Sequence, residues 1–161
     1  MGENESSRRL LSVQDLDPER WKPMFYQVTI DVPVLADGRG TGTINTNNQA
    51  FVLVRVGHTI LGNTMDPETS GLYNDGQYLI QWKDEQRNYS DVPLQANLAF
   101  GPHIEGAQRR LAYPVMYSGN HTITFEVTNY YTRVLTPPAE NFQVAIIVEG
   151  LADWKTLKGS R

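Results

Sequence analysis

Apolar residues at every second position, in one run after another, are the feature of this sequence that most restricts its fold. Near the end of the chain, Phe142, Val144, Ile146 and Val148 follow this rule. A period of two is typical of a β-strand with one buried face, because successive side chains of a strand point to opposite sides. Earlier runs with the same period are Tyr26, Val28, Ile30, Val32 and Val34; Ala50, Val52, Val54 and Val56; Tyr78, Ile80 and Trp82; and Ile123, Phe125 and Val127.

Clusters of Gly, Asn, Asp, Ser and Pro separate these runs and predict turns. Short strands at this spacing, with no helical period between them, are typical of an all-β sandwich or barrel. The predicted strands are 25–34, 41–46, 49–58, 77–82, 93–99, 112–117, 121–130 and 141–149. We therefore predict an all-β protein, a single antiparallel β-sandwich of jelly-roll type with about eight strands and an extended N-terminal arm.

The length and the cysteine count agree with one domain that is held together by packing. A chain of 161 residues is long enough to bury a sizeable core. It has no Cys, which excludes disulfides, thiol catalysis and thiolate metal sites. We divide it into an N-terminal arm at 1–24, a β-sandwich domain at 25–152 and a short C-terminal tail at 153–161.

The arm is polar at its start but contains large apolar residues further along. Exposed apolar side chains often mark contact sites, so the arm either binds a partner or docks on its own sandwich. Both interpretations stay open at this point. On the first of them, the partner-binding residues of the arm are Leu10, Leu11, Leu16 and Trp21.

Charge and hydropathy argue against two classes of partner. The net charge is −4, so no positive surplus is present to neutralise phosphates over a broad face, and nucleic acid is not an expected ligand. No apolar stretch approaches the ~20 residues that a membrane helix needs, and the polar start has no apolar core of a signal peptide. We expect no membrane partner and no secretory signal.

The glycine-rich segment 38–42 has the composition of a phosphate-binding loop. Such loops bind anions because a helix N-terminus follows them, whereas a Thr-rich strand follows here. A hairpin or a bulge is the favoured interpretation, since Gly permits the positive φ angles of tight turns.

The ionisable residues do not form a recognisable metal centre. His58, His103 and His121 lie far apart, with no spacing that places two imidazoles on one metal, and His58 and His121 are predicted at strand ends or on the surface. Four oxygen-bearing residues of the long loop match no defined calcium site and are interpreted as solvated. They are Asp66, Glu68, Asn74 and Asp75.

No catalytic residue can be nominated either. Glu126 and Glu149 alternate with apolar residues, so they should face solvent or a partner rather than form an acid–base pair. No Gly-x-Ser-x-Gly elbow occurs. We predict a non-enzymatic protein without a cofactor.

The order of features resembles that of small β-sandwich decoration, or cement, proteins of tailed bacteriophages. A polar arm is followed by a strand that ends at Pro33, by Gln49-Ala-Phe-Val-Leu-Val54, and by Tyr78-Leu-Ile-Gln-Trp82 with Arg87-Asn-Tyr-Ser-Asp-Val-Pro93. Then come Arg109-Arg-Leu-Ala-Tyr-Pro114, the strand after Gly119 and the closing strand from Phe142. The similarity covers most of 25–151.

This resemblance implies a structural protein of the virion, assembled in the host cytoplasm. It implies that the chain stabilises the capsid by binding the major capsid protein, or other virion subunits, at a local symmetry axis. A homotrimer is the oligomer that it favours, with the arm gripping adjacent subunits. It carries over no individual functional residue.

Two other functions remain open from the sequence. The first is a carbohydrate-binding jelly-roll module, because the chain has eight Tyr and three Trp whose rings could stack on sugars. The second, ranked lower, is a cupin-like enzyme, for which the sequence offers poor metal ligands.

Overall fold

The structure is a computed structural model, and it describes residues 13–33, 37–46, 48–61, 78–85, 88–90, 92–101, 110–129 and 141–154. Within these ranges most residues lie in strands. The strands are β1 (Trp21–Val32), β2 (Arg39–Asn45), β3 (Phe51–Leu61), β4 (Tyr78–Asp84), β5 (Leu94–Gln95), β6 (Arg110–Tyr117), β7 (Thr122–Asn129) and β8 (Phe142–Asp153). One short helix, α1 (Ala96–Phe100), follows β5, and a 3-10 turn spans Val13–Asp15.

The strands form two four-stranded sheets. The first sheet has the order β1-β8-β3-β6 and the second has the order β2-β7-β4-β5, with every neighbouring pair antiparallel. The pairs β1/β8, β2/β7, β3/β6 and β4/β5 are nested inside one another, as in a long hairpin folded over on itself. This is a jelly-roll topology. The predicted all-β sandwich of about eight strands is confirmed.

The core lies between the two sheets, where the alternating apolar residues meet. The predicted inward positions are buried in β4, β7 and β8, and in β1 the alternation continues through Val32. Val34 lies outside the described residues. The largest side chains that are fully buried include Phe51, Leu53, Tyr78, Ile80, Tyr117, Ile123, Phe125, Phe142 and Ile146.

The predicted phase of β3 is wrong at its start. The alternation places Ala50, Val52 and Val54 on the buried face with Val56. Val52 is fully buried, but the residues that join the main core cluster are Phe51, Leu53 and Val56. Between Leu53 and Arg55 the register of β3 against β8 shifts by one residue, which is a β-bulge in β3. Because a bulge adds one residue to a strand, the inward face passes from odd to even positions.

The predicted strand at 93–99 is also corrected. Only Leu94 and Gln95 pair with β4, and α1 then begins at Ala96. The Gln95 side chain accepts a hydrogen bond from the backbone N–H of Leu98 at 2.7 Å and so caps the helix. The helix ends at Gly101, whose φ of 86° suits glycine and few other residues.

The glycines of segment 38–42 serve a close approach between strands, whereas the positive φ at this turn, 58°, belongs to Asp37. Backbone hydrogen bonds tie Asp37 and Gly38 to Asn129, and β2 then runs alongside β1. A Cβ atom at Gly40 would collide with the backbone oxygen of Asp31. The two sheets can therefore come together at the β1–β2 side because Gly40 has no side chain.

Two boundaries of the sandwich differ from the sequence-based division. Trp21, within the predicted arm, is the first residue of β1 and pairs with Asp153, the last residue of β8. The sheet therefore includes residues from both predicted end segments. Among the described residues, no helix has the length and hydropathy needed to cross a bilayer.

Candidate functional site

The structure describes two of the four predicted partner-binding residues of the arm. Leu10 and Leu11 lie outside the described residues. Leu16 and Trp21 are half-buried, and the guanidinium carbon of Arg20 lies 5.8 Å from the centre of the Trp21 ring.

An ion pair fixes the chain just before β1 to the end of β8. Arg20 Nε lies 2.9 Å from Asp153 Oδ1, and Arg20 Nη2 lies 2.5 Å from Asp153 Oδ2. This hydrogen bonding, followed by the attraction of the carboxylate, raises the pKa of Arg20 above its ordinary value. The backbone N–H of Trp154 also donates to the Arg20 carbonyl at 3.0 Å. The last residues before β1 are thus docked on the chain's own sandwich.

The outer face of the first sheet, which points away from the core, carries exposed apolar side chains. Phe25 on β1 is 60% exposed, Met116 on β6 is 48% exposed and Ile147 on β8 is 36% exposed. The strand register places Pro23 opposite Leu151, Leu151 opposite Val52, and Val52 opposite Met116. Residues that lie opposite in a sheet share a face. We call Pro23, Phe25, Met116, Ile147 and Leu151 the outer patch.

A charged row runs through the outer patch. It continues the row of Phe25, which lies opposite Glu149, and it separates Leu151 from Ile147. Glu149 on β8 lies opposite Arg55 on β3, and Arg55 Nε is 3.3 Å from Glu149 Oε2. Arg110 on β6 follows in the same row and is exposed. In protein interfaces apolar contact gives affinity, and charge complementarity sets the orientation.

His58 was predicted at a strand end or on the surface, and this is wrong. It lies within β3, is 2% exposed and faces the core. Its Nε2 lies 2.9 Å from the Gly101 carbonyl oxygen and its Nδ1 lies 2.6 Å from the Tyr78 hydroxyl. The imidazole therefore joins β3 of the first sheet to β4 of the second sheet and to the end of α1.

A second polar network lies beside β4. The Trp82 indole donates to the Tyr117 hydroxyl at 3.1 Å, and the Tyr89 hydroxyl donates to Asp84 Oδ2 at 2.5 Å. His121 Nε2 lies 3.6 Å from the same carboxylate oxygen, and the His121 ring packs against Tyr117. Burial is the main reason that the pKa of Tyr117 lies far above its ordinary value, and its hydrogen bonding with Tyr89 adds to the effect. These contacts cross-link β4, β6 and the start of β7.

The acidic residues considered for catalysis lie on different sheets. Glu126 on β7 lies 3.6 Å from Arg39, and Glu149 on β8 pairs with Arg55. Both carboxylates are partly exposed, in agreement with their predicted orientation. Across the ranges that the structure describes, no three His, Asp or Glu side chains group closely enough to hold a metal. The loop residues Asp66, Glu68, Asn74 and Asp75, and also His103, lie outside those ranges.

Most described aromatic rings are committed to the core. Tyr78, Trp82 and Tyr117 are each less than 10% exposed, so none of them presents a ring on the outer surface of the sandwich, where a sugar chain could stack. Trp154, just after β8, is 43% exposed.

The sequence analysis missed the outer patch, although a signal for it is present. Phe25 and Ile147 occupy the polar positions of otherwise alternating runs, where a solvated strand would carry charged or hydroxyl side chains. Their place on one surface depends on the pairing of β1 with β8, which connects distant parts of the chain.

Comparison with protein-family models, with curated proteins and with solved structures gives no match for this chain.

Proposed function

We propose that the chain is a non-enzymatic structural protein of a phage virion, which decorates and stabilises the capsid by binding where capsid subunits meet. The observation that carries this proposal is the outer patch. A sandwich with two layers keeps its apolar residues between the sheets, and the outer faces are normally polar. An outer face that carries several exposed apolar side chains around an ion pair is a candidate protein interface.

The polar groups buried in the core favour a protein-binding role over a catalytic one. The buried polar groups of His58, Tyr117 and Asp84 have hydrogen-bond partners. These are the Gly101 carbonyl, the Trp82 indole and the Tyr89 hydroxyl, respectively. Such closed networks stabilise a unique core. The outer patch and its charged row, by contrast, face outward and are accessible to a macromolecule.

The jelly roll agrees with this proposal but does not select it, because shell proteins, lectins and cupins share the architecture. The proposed partners are the major capsid protein or neighbouring virion subunits. A closed symmetric oligomer, with a trimer favoured, would repeat the outer patch around the axis at which the protein binds.

The arm has a defined place in this proposal. Because Arg20 fixes the chain at the end of β8, the residues before it start next to Trp21, at the edge of the outer patch. We propose that Leu10, Leu11, Leu16 and Trp21 extend the contact onto an adjacent subunit.

The test combines the molar mass in solution with binding to capsids of the virus that encodes the chain. Light scattering should give the mass of a trimer, and the full chain should cosediment with capsids. A deletion of residues 1–12 retains the Arg20–Asp153 pair, so it should remain folded while its affinity for capsids falls by about tenfold or more. A monomer that does not bind capsids would contradict the proposal, and so would a deletion variant with unchanged affinity.

A further inference from the structure

An apolar cavity of about 170 Å³ lies at the side of the sandwich opposite the β1–β2 contact. It is bounded by Leu111 of β6 and Leu94 of β5, which are edge strands of the two sheets, and by Ala99 and Phe100 of α1. The β1–β2 side closes through the close approach at Gly40. At the opposite side β5 has only two residues, and α1 does not fill the remaining space.

The aromatic wall of this cavity is held in place from behind. Trp82 and Tyr89 stack with ring centres 4.6 Å apart, and both rings line the cavity. The Trp82 indole N–H is bonded to Tyr117, and the Tyr89 hydroxyl is bonded to Asp84. The backbone N–H of Tyr89 also donates to the Trp82 carbonyl at 3.1 Å. Because these bonds fix the rings, they cannot easily rotate to close the space.

The size and the lining of the cavity determine which ligands it can hold. An apolar cavity of about 150 Å³ in another protein stays dry and binds benzene, so a space of this kind holds a single six-membered ring. The lining is mostly aliphatic and aromatic, with Ser90 at its edge, and it presents no charged side chain among the described residues. A charged ligand would lose its hydration there without compensation.

We propose that this cavity is a binding site for a small apolar molecule with one aromatic ring. The ring lies against the fixed Trp82–Tyr89 wall and is flanked by Leu94 and Leu111. Offset or edge-to-face contact with the two aromatic rings adds to the gain from apolar burial. This site is separate from the outer patch, and its existence does not depend on the proposed capsid role.

Benzene is the probe for the test, and naphthalene is the comparison for size. Titration of the full chain should show saturable benzene binding with a rise in Tm, because a ligand that binds only the folded state stabilises it. Naphthalene, with two fused rings, should bind at least about tenfold more weakly. This size preference is measured on the unaltered chain, so it does not depend on whether a variant folds.

The variant Ala99→Phe places a ring inside the cavity, and Leu98→Phe is its matched control. Leu98 precedes Ala99 in α1 but is 73% exposed and does not line the cavity. A99F should weaken benzene binding by about tenfold or more, while L98F should change it less than about twofold. Absence of benzene binding would overturn the proposal, as would equal binding by A99F or equal affinity for naphthalene.

Discussion

The Nδ1 atom of His58 lies 2.6 Å from the hydroxyl oxygen of Tyr78, inside the sandwich core. Because a carbonyl oxygen only accepts, the His58 Nε2–H donates to Gly101. In the neutral ring, Nδ1 then accepts the proton of the Tyr78 hydroxyl. This pair provides a directional contact between the two sheets, and the Trp82–Tyr117 hydrogen bond provides another.

Tyr78→Phe should lower the free energy of unfolding by about 1–3 kcal/mol, because it removes the hydroxyl that donates to a buried acceptor. The matched control is Tyr26→Phe. The Tyr26 hydroxyl donates to the Thr46 carbonyl at 3.4 Å, which is long for a hydrogen bond, so this change should cost less than about 1 kcal/mol. Urea denaturation of both variants measures the difference, and equal costs would show that the His58–Tyr78 bond adds nothing particular.

Leu53→Ala tests the position of the bulge in β3. Leu53 is fully buried, so this change should destabilise the protein by about 2–5 kcal/mol. Leu98→Ala, at a side chain that is 73% exposed, should cost less than about 1 kcal/mol. A small effect at Leu53 would place it on the outer face, as the uninterrupted alternation through Val52 and Val54 predicts.

Gly40→Ala should destabilise the protein more than Gly42→Ala. A Cβ atom at Gly40 meets the backbone oxygen of Asp31, which cannot move without shifting β1. At Gly42 it meets side-chain atoms of Val28 and Ile30, at 2.6 and 2.7 Å, which can adjust. We expect a cost at Gly40 at the upper end of the range of about 1–3 kcal/mol for overpacking. Thermal unfolding compares the pair, and the reverse order would contradict the close approach of β1 and β2.

Alkaline pH should destabilise the fold through two buried phenols. Burial raises the pKa values of Tyr78 and Tyr117 far above the ordinary value of 10.0. Above that value the unfolded chain releases both protons while the folded chain retains them, so stability falls as the pH rises. The slope should approach about 1.4 kcal/mol per pH unit for each tyrosine. Tyr117→Phe should remove about half of this slope. Urea denaturation midpoints that stay constant above about pH 10 would exclude a contribution of the buried tyrosines.

Much of the architecture follows from local pattern. The alternation in 142–148 and 123–127 identifies β8 and β7 together with their buried faces, because a strand packed on one side requires a period of two. The turn clusters separate these runs, so the number of strands also follows. The nested pairing of β1 with β8 is a consequence of the whole fold, and no local run of residues specifies it.

The differences between the predicted and the observed structure have identifiable causes. A bulge inserts one residue without a consistent sequence signal, so the phase of β3 could not be assigned from Val52 and Val54. The partners of His58 are Tyr78 and Gly101, which are distant in sequence, and a lone histidine gives no sign of them. In α1, the spacing from Ala96 to Phe100 and the following Gly101 were available signals for a helix.

The outer patch could be predicted only in part. Phe25 is recognisable as an apolar residue in a polar position, but its grouping with Met116 and Ile147 requires the order of strands in the first sheet. For the arm, the apolar residues are recognisable from the sequence. The ion pair between Arg20 and Asp153 is not, because it depends on the pairing of β1 with β8.

The proposed role of the outer patch is tested most directly by capsid cosedimentation of Phe25→Asp, with Thr29→Asp as its control. Both residues are exposed on the outer face of β1, but Thr29 lies opposite Ala145, away from the charged row. F25D should lose about tenfold or more in affinity for capsids, while T29D binds as the unaltered chain does. Equal capsid binding by F25D and the unaltered chain would contradict the account.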